Sequence, residues 1–157
     1  MPNLSPHLTL AEATASDTAK RLGIDNTPPP EHVANLMALA NAIFEPLRLH
    51  FAAPIHVSSG YRSKALNAAT PGSSTTSQHS LGQALDLDQD GKGTGVTNKM
   101  VFDYIRANLP FDQLIRGNQF GASRCDLYHR VTRGRWEPCS EDRYLQTAGE
   151  LRGRMAM

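Results

Sequence analysis

Residues 77–90 read Ser77-Gln78-His79-Ser80-Leu81-Gly82-Gln83-Ala84-Leu85-Asp86-Leu87-Asp88-Gln89-Asp90, and this stretch restricts the fold more than any other. It carries an imidazole and a carboxylate seven residues apart, with a glycine between them. On a continuous helix seven residues advance about 10 Å, and on a continuous strand about 23 Å. A shared divalent cation needs both ligands at about 2 Å. His79 and Asp86 therefore serve one ion only if the chain turns back between them. Gly82 stands where a turn or a close backbone approach is easiest. Two ligands do not make a zinc site, so at least one more nitrogen, sulfur or oxygen has to come from elsewhere.

The chain has 157 residues, enough for one domain and hardly two. A domain of that size buries roughly 70% of its unfolded surface, so it needs no metal merely to fold. A metal here is expected to be functional. The net charge is +1, which argues against a large nucleic-acid footprint. Arg130, Arg133 and Arg135 cluster, and read as a solvated strand end or loop. The two cysteines, Cys125 and Cys139, are too few for a disulfide framework. They pair, stay free or supply one ligand. No basic-then-apolar signal segment opens the chain and no stretch approaches a membrane span. The expectation is a protein made in the cytoplasm, not inserted in membrane, and monomeric.

Residues 8–15 predict a short helix capped by Thr9, with Glu12 three residues on. Asn26-Thr27-Pro28-Pro29-Pro30 is a stiff connector into the next helix. Over 30–50, Val33, Leu36, Met37, Ala40, Ile43, Phe44 and Leu47 form an apolar stripe expected to face the core, and Pro46 is expected to kink or end that helix. His7 is expected in a mobile N-terminus, with His32 and His50 as surface or cap residues and His56 structural. Residues 54–61 alternate like a strand. A short helix over 64–69 and a loop over 70–77 follow. Residues 84–88 read as a strand presenting carboxylates on one face. Residues 98–108 read as a helix with Met100, Val101, Tyr104 and Ile105 inward. Residues 111–115 and 125–131 read as strands, and 140–153 as a terminal helix. The later strands are too closely linked for parallel crossovers, so the fold class is α+β, an antiparallel sheet flanked by helices. The expected organisation is one domain over 1–157, with a helical N-terminal segment over 1–52, a metal-binding sheet segment over 53–132 and a helical tail over 133–157.

The best remaining ligand is His129, on a predicted strand that a neighbouring strand can bring beside His79 and Asp86. Three protein ligands with one open position make a catalytic zinc site, where bound water has a pKa of about 7. Asp86, Asp88, Asp90 and Gly91 also imitate the start of a calcium loop. The twelfth position, which should be a glutamate, is Thr97. Asp88 and Asp90 read instead as solvated acids or helpers around a cleft.

Three elements together carry a resemblance: Ser59-Gly60-Tyr61-Arg62-Ser63, the run from Ser77 through His79, Gly82 and Ala84 to Asp86, and Asp126 with His129 three residues on. They resemble the zinc D-alanyl-D-alanine carboxypeptidases, whose superfamily contains phage L-alanyl-D-glutamate endolysins and vancomycin-resistance D-Ala-D-Ala dipeptidases, and whose fold the hedgehog signalling domain shares. The resemblance covers roughly residues 8–132, including Phe111 to Ile115 as the strand before the last histidine. It departs at Leu127-Tyr128-His129-Arg130, where small phage-type relatives read tryptophan-x-histidine and then an apolar residue. It implies a hedgehog/DD-peptidase-like fold and one zinc per chain held by His79, Asp86 and His129. Asp126 would be the general base, Arg62 would face the substrate carboxylate or the developing oxyanion, and Ser77 would hydrogen-bond the substrate. The implied substrate is a peptidoglycan stem peptide, cut at its terminus or internally, by a phage or prophage product acting on the cell wall. The alternative from another class is a catalytically silent zinc-stabilised binding module.

Overall fold

A computed structural model of the chain describes residues 2–117, 124–128, 131–132 and 135–136. The N-terminus is a small antiparallel ribbon, β1 (Asn3–Ser5) with β2 (Leu8–Thr9). It runs directly into α1 (Leu10–Thr14), whose start is the expected capping box: Thr9 and Glu12 bond each other reciprocally. α2 (Asp17–Leu22) is capped by Ser16 and ends at left-handed Gly23. His7 does not sit in a loose terminus. Its backbone N–H reaches Glu45 Oε1 at 2.8 Å and its Nδ1 lies 2.7 Å from Glu45 Oε2.

The long helical run is α3 (Pro30–Leu39), a π-helical turn over Ala40–Phe44, and α4 (Glu45–Phe51). Proline does not end it. The turn widens just ahead of Pro46, so that Glu45 N–H bonds Ala40 O and the residue without an N–H falls in the first turn of α4. Leu36, Leu39, Ala40, Ile43 and Leu47 are buried along one side. Met37, expected inside, is 43% exposed. At 100° per residue it falls at the margin of the stripe, where Leu39 falls within it.

The main sheet is antiparallel with the order β3 (Val57–Ser59), β4 (Ala84–Leu87), β6 (Arg124–Tyr128), β5 (Gln113–Gly117). β3 is shorter than its alternating sequence predicts, and an irregularity interrupts its pairing with β4 between Val57 and Ser59. β4 is buried throughout. Leu85 and Leu87 join the hydrophobic core, and Asp86, by the alternation of strands, faces the other way. α5 (Lys64–Ala68) follows β3, and α6 (Asn98–Asn108) packs on β5 and β6. α6 has the expected bounds, but Val101, Phe102 and Ile105 are its buried apolar residues. Met100 lies on the far side, 43% exposed. Each fully buried leucine or phenylalanine of this core contributes about 1.5–3 kcal/mol relative to exposure.

Val131–Thr132 and Arg135–Trp136 form a further two-stranded ribbon. The helix expected over 140–153 lies outside the described residues, as does Cys139. Among the described residues no helix is long and apolar enough to cross a membrane. The architecture is α+β with antiparallel sheets, as the spacing of its elements predicts.

Candidate metal centre

His79 sits in a single 3-10 turn, Gln78–Leu81, that stops at Gly82 with φ of 68°. Gly82 N–H bonds back to His79 O and Gln83 N–H to Gln78 O. The chain then reverses into β4. A Cβ at Gly82 would stand 2.4 Å from the His32 carbonyl oxygen, so the turn nests against α3 where no side chain fits. This turn is what brings the distant pair together: His79 Nε2 lies 3.2 Å from Asp86 Oδ1, with both residues buried.

The other ring nitrogen fixes what Nε2 presents. His79 Nδ1 lies 2.6 Å from Gly60 O, and a carbonyl only accepts, so Nδ1 is the donor in that bond and Nε2 is the nitrogen turned to Asp86. A backbone carbonyl holding one ring N–H is the arrangement that orients metal-binding histidines. An imidazole nitrogen and a carboxylate oxygen facing each other in a buried place are donor types that a single zinc ion accepts. Two ligands on a tetrahedral zinc stand about 3.3 Å apart, given zinc distances of about 2.0–2.1 Å. The pair fits zinc in donor type and in spacing. Among the described residues no cluster of three or more His, Cys, Asp or Glu side chains is assembled, and His129, the expected third ligand, lies outside them.

Arg62 meets a carboxylate of its own chain. Its terminal nitrogen donates to Asp86 Oδ2 at 3.0 Å and its Nε to Ser59 Oγ at 3.0 Å. Asp86 thus turns one oxygen to His79 and the other to Arg62. A guanidinium carries five N–H donors in a planar fork, so these two bonds leave donors for a substrate. Beside it opens a cavity of about 230 Å³ lined by Ser16, Thr18, Ser59, Tyr61, Arg62 and Thr70 among others. That is room for a side chain or a short peptide segment. Burial, with Asp25 nearby, pushes the Tyr61 hydroxyl above its ordinary value of 10.0, so it stays a neutral donor at physiological pH.

Asp126 stands at the β6 register position directly opposite Asp86. Ser77 precedes the His79 turn as its first flanking residue. His56 is exposed, and its backbone N–H and carbonyl are both bonded by the Gln89 side chain. Asp86 points to His79 and Arg62, while Asp88 and Asp90 hold Asn98, the first residue of α6, by its side-chain amide and its backbone N–H. Sequence reasoning did not single out Asn26, whose side-chain amide bonds Tyr61 O and Ser63 N–H on either side of Arg62. Its only signal was an asparagine just ahead of three prolines.

No curated protein matches the chain. The model of one family, Peptidase M15, matches residues 6–119, a span that includes Arg62, His79 and Asp86 and stops short of Asp126 and His129. With most of its length matched, and a buried histidine–carboxylate pair fit for zinc at its centre, the chain belongs to the M15 peptidases, a generally zinc-dependent family.

Proposed function

We propose that the chain is a zinc metallopeptidase that hydrolyses peptidoglycan stem peptides beside a D-residue, at the terminal D-alanyl-D-alanine bond or within the stem. Family membership supports a peptidase. The observation that carries the reading further is the 3.2 Å approach of His79 Nε2 to Asp86 Oδ1. His79, Asp86 and His129 hold one zinc ion per chain. When bound, zinc supplies Lewis acidity, polarising the scissile carbonyl and making water a nucleophile at neutral pH.

The chain's own residues do the rest. Asp126, whose register position is opposite Asp86, is the general base: it takes the proton of the attacking water and returns it to the leaving amine. Arg62 keeps Asp86 in place and turns its remaining donors to the substrate carboxylate or to the oxyanion developing on the scissile carbonyl. Ser77 hydrogen-bonds the peptide.

Metal analysis combined with digestion of defined muropeptides tests this. Wild type should carry close to one zinc per chain and release free amine. His79→Ala should lose both. Asp126→Ala should keep the metal and lose roughly a hundredfold in rate. Zinc uptake with no amine release, and no effect of Asp126→Ala, would leave a zinc-stabilised binding module instead.

A further inference from the structure

Residues Gly60 to Ser63 carry Arg62 past the metal centre in an extended course beyond the end of β3. Their backbone groups are satisfied on both sides, but not by strands. On one side Gly60 O accepts from His79 Nδ1 and Arg62 N–H donates to His79 O. On the other, Tyr61 N–H donates to Ala13 O, Tyr61 O accepts from Asn26 Nδ2 at 3.1 Å, and Ser63 N–H donates to Asn26 Oδ1 at 2.7 Å. The alternation is that of a central strand. One side-chain amide, Asn26, replaces the neighbouring strand at the two peptide groups that bracket Arg62.

Asn26 is anchored for this task. Its Nδ2 also donates to Thr14 O, the last residue of α1, at 2.8 Å. The Asp25 carboxylate accepts from Thr27 N–H at 2.9 Å and closes a local turn around it. The amide thereby ties the end of α1, the cavity residue Tyr61 and the cap of α5, Ser63, to one point. Aspartate has nearly the same shape but brings no donor, and its charge would face the carbonyls of Thr14 and Tyr61. Only an amide serves all three partners.

From this the geometry points to Asn26 as a positioning residue for Arg62: it fixes the backbone from which the guanidinium reaches Asp86 Oδ2. The inference rests on the peptidase reading for its catalytic consequence. Groups that orient the residues around a metal typically matter by 10–100-fold in activity or metal affinity. Asn26→Asp and Asn26→Ala should therefore lower kcat/KM on a defined muropeptide by roughly tenfold or more. In an Arg62→Ala background the same substitutions should change it less than twofold, because the residue they position is gone. A merely structural role would lower activity equally in both backgrounds.

A second readout does not need activity. The Arg62 Nε–H, bonded to Ser59 Oγ, should exchange with solvent at least tenfold faster by NMR in folded Asn26→Asp than in wild type. Unchanged exchange in a folded Asn26→Asp protein, or equal losses of kcat/KM in the two backgrounds, would overturn the proposal. If wild type cleaves no muropeptide, the peptidase reading fails, and the exchange comparison alone decides the role of Asn26.

Discussion

Gly82 lets an imidazole and a carboxylate seven residues apart approach within 3.2 Å. It combines φ of 68° with a site where a Cβ would lie 2.4 Å from backbone. Gly82→Ala has to strain the turn and push α3 away, at an expected cost of about 2 kcal/mol or more of stability, the value of one strained non-glycine position with a clash added. Urea denaturation checks it, and metal content should fall with it because the turn also aims His79. That a turn was needed here was readable from the sequence, since neither helix nor strand can bring residues 79 and 86 together. The engagement of Arg62 with Asp86 was not readable, because a motif gives residue types and not which of two anions a guanidinium meets. A second residue-scale prediction concerns Glu45, 8% exposed beneath His7. Burial pushes its carboxyl up, but the neighbouring polar groups, His7 with its backbone N–H and its ring nitrogen foremost in the geometry, outweigh burial and hold it below the ordinary 4.5. A depressed folded pKa contributes stability that is complete above about pH 4.5 and is lost as pH falls through the folded value. Wild type should therefore lose stability faster than Glu45→Gln as the solution is acidified from about pH 5 to about pH 3, read from urea midpoints at each pH.

At the scale of elements, what was legible follows from local rules and what was not follows from packing. α1 announces itself by Thr9 and Glu12, and α6 by its apolar period, because caps and periodicity are written within a few residues. The π turn is not so written. Pro46 signals only that one hydrogen bond must be given up, and the turn that accommodates it carries Ile43 and Phe44, both buried, so it is set within the packed core and not by the local sequence alone. Met37 and Met100 stand outside for a geometric reason: the angle around the helix, not hydrophobicity, decides which side chains are buried. β3 shrinks to Val57–Ser59 because the following residues find their partners in Ala13, Asn26 and His79 rather than in a strand. α6 offers the test at this scale. Thr97 accepts from Met100 N–H at the helix start, so Thr97→Ala should cost about 1 kcal/mol of global stability, measured by thermal or urea unfolding, with zinc content unchanged.

For the molecule as a whole, the residues of the candidate centre do not share one element. His79 comes from a loop turn, Asp86 from the middle of the sheet, Arg62 from the extension of the edge strand, and Asp126 stands on the strand beyond. The hydrophobic core lies on the Leu85–Leu87 side of β4, so it does not by itself hold these segments in register on the Asp86 side. An ion joining His79 to Asp86 would do so, since it binds the folded chain and not the unfolded one. At a free zinc concentration about one hundred times its Kd, that linkage is worth about 2.7 kcal/mol, which for a chain of this length is a rise in Tm of roughly 5–10 °C. Removing zinc with a strong chelator should therefore lower the Tm of wild type by that amount, and re-addition should restore it. His79→Ala, already without the ion, should melt at the same temperature with and without chelator. If the chelator moves both proteins equally, the metal stabilises some other part of the chain and His79 is not among its ligands.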